Sequence, residues 1–78
     1  MDSKDLSVLA YSNGFTLWHY KSAHDTIGFE SEGYFDKVAN IFNPGDLIFI
    51  SAPESDTRRT RIYAVESIDA GRVSISKL

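Results

Sequence analysis

The dipeptide Asn13-Gly14 restricts this chain more than any other pair of its residues. Both positions of a two-residue hairpin loop take positive φ, which Asn and Gly tolerate, and β-forming residues stand close on either side. After it, Phe15-Thr16-Leu17-Trp18-His19-Tyr20 reads as a strand. Before it, Leu6, Val8 and Ala10 alternate weakly and give a short partner strand. The second strand has two unlike faces, Phe15, Leu17 and His19 on one and Thr16, Trp18 and Tyr20 on the other. One face meets the core; the Trp18 and Tyr20 face is either covered as well or shown to a partner. Residues 21–24 then read as a polar turn, and residues 25–29 as a short strand with Ile27 and Phe29 in phase.

The last third reads as β throughout. Asp46 opens Leu47-Ile48-Phe49-Ile50, whose unbroken apolarity implies burial on both faces. Residues 52–57 read as a loop, with Pro53 breaking the strand. Residues 60–68 form the next strand, in which Ile62 and Ala64 alternate with Tyr63 and Val65. A turn at Asp69-Ala70-Gly71, with Gly71 left-handed, leads to a last strand over residues 72–76 with Val73 and Ile75 inward. Between these β regions the period changes. Tyr34, Phe35, Val38, Ala39 and Phe42 make one helical stripe, Ser31 suits an N-cap, and Asn43-Pro44-Gly45 ends the segment. The expected fold is therefore α+β and mostly β: a small antiparallel sheet or partly closed barrel with one short helix at about residues 32–42. Residues 1–78 form a single domain, with residues 1–5 a disordered N-terminal tail.

Size limits what such a domain can do. A chain of 78 residues buries only about 60–65% of the surface it exposes when unfolded. That leaves room for one compact core, and little for a deep, walled active site. There is no cysteine, so disulfides, thiolate metal sites and a Cys nucleophile are excluded together. The net charge of −3 argues against nucleic-acid and anionic-membrane binding. That charge lies wholly in residues 1–39, where six acids face three bases, while residues 40–78 hold five of each. No export signal is expected at the polar N-terminus, and no apolar run approaches a membrane span.

No catalytic constellation is convincing. Ser22, His24 and Asp25 are the residue types of a hydrolytic triad, but triad members converge from separate segments, and no oxyanion loop accompanies them. His19 and His24 with an acid would make three zinc ligands at a spacing that fits no known motif; a histidine hydrogen-bonded at a sheet edge is the plainer reading. Glu30, Glu32 and Asp36 read as a solvated helix start rather than an acid/base pair. Arg58-Arg59-Thr60-Arg61 is the sharpest charged feature, read as loop-local ion pairing or docking to an acidic protein surface. Ten aromatics (one Trp, four Tyr, five Phe) exceed what so small a core needs. Trp18, Tyr20, Tyr34, Arg58, Arg59 and Arg61 are accordingly the expected partner-contact residues, with no catalytic, cofactor or metal site.

Several strings together give a resemblance. Ser12-Asn13-Gly14-Phe15-Thr16-Leu17-Trp18-His19-Tyr20-Lys21, Asp25-Thr26-Ile27 and Gly33-Tyr34-Phe35 are followed by Pro44-Gly45-Asp46-Leu47-Ile48, Tyr63-Ala64-Val65 and Gly71-Arg72-Val73-Ser74-Ile75. This pattern resembles small proteins encoded in phage and prophage structural-gene modules. The resemblance implies a virion-associated, non-enzymatic structural protein, such as a capsid decoration, fibre or tail component. It would be made in the bacterial host cytoplasm and docked on other virion proteins, as a homo-oligomer without nucleic acid or membrane. The alternative is a small β-barrel interaction module in the host cell, binding by strand addition at residues 15–20.

Overall fold

The computed structural model describes residues 3–22, 33–54 and 56–78. Five strands lie side by side in chain order: β1 (Leu6–Ser12), β2 (Phe15–Lys21), β3 (Leu47–Glu54), β4 (Thr57–Asp69) and β5 (Arg72–Lys77). The protein is mostly β, as its sequence suggests. Its sheet is mixed and open rather than antiparallel or closing into a barrel. β2 and β3 run parallel, Leu17 beside Leu47 and Lys21 beside Ser51, while every other pair is antiparallel. A parallel pair requires a crossover of a dozen or more residues, and the long stretch between β2 and β3 supplies it.

The two tight hairpins follow the turn chemistry. Asn13 and Gly14 take φ of 46° and 94°, and Ala70 and Gly71 take 52° and 81°, positive at both loop positions as a type I′ turn requires. Ala70 is the strained member, because an L-residue's Cβ crowds the next carbonyl there at about 1–2 kcal/mol.

The expected helix is not formed. In its place the described part of that stretch makes turns around a single 3-10 turn, Asp36–Val38. The backbone bonds are of the i to i+3 kind: Asp36 N–H to the Gly33 carbonyl, Val38 to Phe35, Ala39 to Asp36, Ile41 to Val38. Gly33 enters with φ 88° and Pro44 closes the other end, which limits the segment to a length at which an α-helix is marginal without tertiary support. The apolar spacing nonetheless points Phe35, Val38 and Phe42 into the core. Asp36 has a structural role: its Oδ1 accepts the Val73 N–H at 2.8 Å and ties this turn to β5. Ser31, Glu30 and Glu32 lie outside the described residues, as do the strand expected at residues 25–29 and the triad candidates His24 and Asp25.

Two further boundaries shift. Pro53 stays within β3, opposite Arg58, at a point where β3 has run past its last pairing with β2, so the missing N–H costs no ladder bond there. β4 begins at Thr57, ahead of the expected start at residue 60, which places Arg58 and Arg59 in the same strand as Arg61. Part of the expected N-terminal tail is ordered as a 3-10 turn, Ser3–Asp5.

One face of the sheet carries the core. Trp18 and Tyr20 from β2, Ile48, Ile50 and Ala52 from β3, Tyr63 and Val65 from β4 and Val73 from β5 pack against Phe35, Val38 and Phe42. The rings meet edge-on or tilted: Tyr20 to Phe35 at 5.6 Å, Phe35 to Phe42 at 5.7 Å, Trp18 to Phe42 at 5.2 Å. These are favoured aromatic geometries.

Candidate interaction surface

A buried carboxylate ties the crossover to the sheet. Asn43-Pro44-Gly45-Asp46 makes a turn in which the Asp46 N–H bonds the Asn43 carbonyl at 3.0 Å, with Gly45 at φ 97° in the position a type II turn reserves for glycine. The turn aims Asp46 inward, where it is fully buried. Its Oδ1 accepts the Thr16 N–H at 3.0 Å; its Oδ2 accepts the Trp18 indole N–H and the Asn43 N–H, each at 3.0 Å. The Val65 N–H bonds the Asp46 carbonyl at 2.8 Å, so this single residue joins β2, the crossover and β4. With all three donors on its side chain coming from the fold itself, Asp46 is a structural group.

Strand alternation leaves a second, different face. Register places Ala10, Leu17, Leu47, Ala64 and Ser76 in one row across all five strands, and Ser7, His19, Phe49 and Ile62 in the next. Leu17, Leu47, Phe49 and Ala64 are half-buried and Phe15 and Ile62 exposed, and none belongs to the core cluster or packs against it. Among the described residues nothing covers this face. A shallow cavity of about 270 Å³ lined by Asp5, Lys21, Ser22 and Arg58 opens beside the end of β2. There the Arg58 guanidinium donates through Nη1 to the Ser22 and Ser51 carbonyls, each at 3.1 Å, and to Ser51 Oγ at 3.3 Å. The face thus has an apolar centre with charged groups at the end of β2.

The residues expected at a partner surface fare unevenly. Trp18 and Tyr20 lie in the core, 7% and 2% exposed, so the strand's other face is the accessible one. Tyr34 is half-buried beside them, its hydroxyl 3.3 Å from that of Tyr20. Burial above all, and then that hydrogen bond, push the Tyr34 phenol well above its usual range and keep it protonated. Arg58, Arg59 and Arg61 do not converge. Arg59 and Arg61 pair with Ala52 and Ile50, on the core side, whereas Arg58 stands opposite Pro53 on the other.

His19 sits on the open face between Ser7 and Phe49, and Ser22 is buried with its N–H bonded to the Ser51 carbonyl at 2.8 Å. Among the described residues no three His, Asp or Glu side chains gather in a metal-binding arrangement. Nor is any helix there long and apolar enough to cross a membrane. The open face was legible only indirectly: Leu17, Leu47, Phe49 and Ile62 are the second apolar set of strands that are apolar on both sides. No protein-family model, curated protein or solved structure matches the chain.

Proposed function

We propose that this chain is a non-enzymatic assembly protein that docks on another protein through the open face of its sheet. The observation that carries the reading is the apolar surface of Leu17, Leu47, Phe49, Ile62 and Ala64, which nothing covers among the described residues. A two-layer domain needs one apolar sheet face to fold, and a second one remains wet unless something seats on it. On the resemblance of its sequence to small phage structural-module proteins, the partner is a virion protein.

Mass spectrometry of purified particles tests the assignment, with the wild-type chain expected among their components. Ile62→Glu supplies the surface test, since Ile62 is 36% exposed and outside the core. A buried carboxylate without a partner costs several kcal/mol, so incorporation of this variant is expected to fall at least about tenfold while the isolated domain stays folded. Absence of the wild-type chain from particles, or unchanged incorporation of Ile62→Glu, contradicts the proposal.

A further inference from the structure

We infer that β1 pairs with the β1 strand of a second copy of this chain, antiparallel across a two-fold axis normal to the sheet. Among the described residues the sheet has two edges, β1 and β5. β5 begins at Arg72 and ends at Lys77, so antiparallel self-pairing there sets cations of the two copies opposite each other, a destabilising contact and a known way to protect an edge. β1 has neither charge nor proline in its seven residues, and it exposes Val8, Leu9 and Tyr11 at 57%, 56% and 71%.

An isologous contact repeats every residue of one copy on the other, so a charge near the axis meets its own kind. An uncharged strand meets that demand, and it offers no counter-charge to a charged partner. The strand ends fit as well. Antiparallel pairing brings Lys4 and Asp5, ahead of β1, towards the uncharged Asn13-Gly14 turn of the second copy. One device does restrain this edge, the bulge between Val8 and Ala10 that leaves Leu9 unpaired with β2. It shortens the usable ladder, and a single edge pairing of this length stays below the roughly 800 Å² per partner of a standard interface. The dimer is therefore weak, with a dissociation constant on the order of micromolar. The axis keeps both open faces on one side, which doubles the apolar platform without using it.

Sedimentation of the full chain from about 1 to 200 µM tests this, and a concentration-dependent monomer–dimer equilibrium is expected. Tyr11→Lys and Val8→Lys, both on exposed β1 positions, are each expected to weaken association roughly five- to tenfold while the circular dichroism spectrum stays native. Lys77→Ser on the other edge and Ile62→Glu on the open face leave the equilibrium unchanged. A chain that stays monomeric throughout, or a dimer indifferent to both β1 variants, overturns the inference. The Ile62→Glu control separates this outcome from failure of the docking reading, because the two surfaces are tested by different substitutions.

Discussion

Asp46→Ala is expected to cost about 3–6 kcal/mol, roughly half of the stability a domain of this length has. The fully buried carboxylate receives three N–H groups, buried ones from Thr16 and the Trp18 indole and a partly buried one from Asn43. Removing it orphans all three, and each buried unsatisfied donor costs about 1–3 kcal/mol. A domain of this length has only about 4–12 kcal/mol of total stability. Asp46→Asn is expected to be milder, about 1–3 kcal/mol, because the amide oxygen can still accept from Trp18 and Asn43. Its NH₂ then faces the Thr16 N–H, donor against donor. Urea unfolding of the three proteins checks the order. A cost below about 1 kcal/mol for Asp46→Ala removes the carboxylate from its place as the joint between β2, the crossover and β4.

The second large effect is expected at Phe35. Its ring is 1% exposed and lies 5.6 Å from Tyr20, 4.9 Å from Tyr34 and 5.7 Å from Phe42. Phe35→Ala leaves a cavity between the sheet and the turns that cover it, at about 3–5 kcal/mol. Phe35→Leu retains most of the volume and is expected to cost under about 1.5 kcal/mol. In a domain this small each kcal/mol moves the melting temperature by about 4–8 °C, so thermal unfolding separates the two variants clearly. Equal losses in both would mean that ring stacking, and not filled volume, holds the covering segment down.

Much of this fold is written in local sequence, and the misreadings have local causes too. Asn13, Gly14 and Gly71 turn the chain where their backbone preferences say they must, and Ala70 is carried into the second turn under strain. The stripe of Phe35, Val38 and Phe42 does face the core, yet spacings of three and four residues serve a run of 3-10 bonds almost as well as an α-helix. Asp46 looked like the polar start of an apolar strand; its burial depends on Thr16 and Trp18, which stand 30 and 28 residues away. Pro53 suggests a strand break that leaves Arg58 and Arg59 outside the strand holding Arg61, but proline is tolerated where a strand has outrun its neighbour. Residue type favours Trp18 and Tyr20 as partner contacts, although their face could equally be covered. Alternation correctly separated their face from that of Leu17 and His19, but which face met the core depended on the crossover.

The claim that one face serves the fold and the other a partner is tested most directly by hydroxyl-radical footprinting of the isolated chain and of purified particles. Leu17, Leu47, Phe49 and Ile62 are expected to be oxidised in the isolated chain and protected in particles, while Phe35 and Tyr63 stay protected in both. Open-face side chains already protected in the isolated chain, or equally oxidised in both samples, would contradict it.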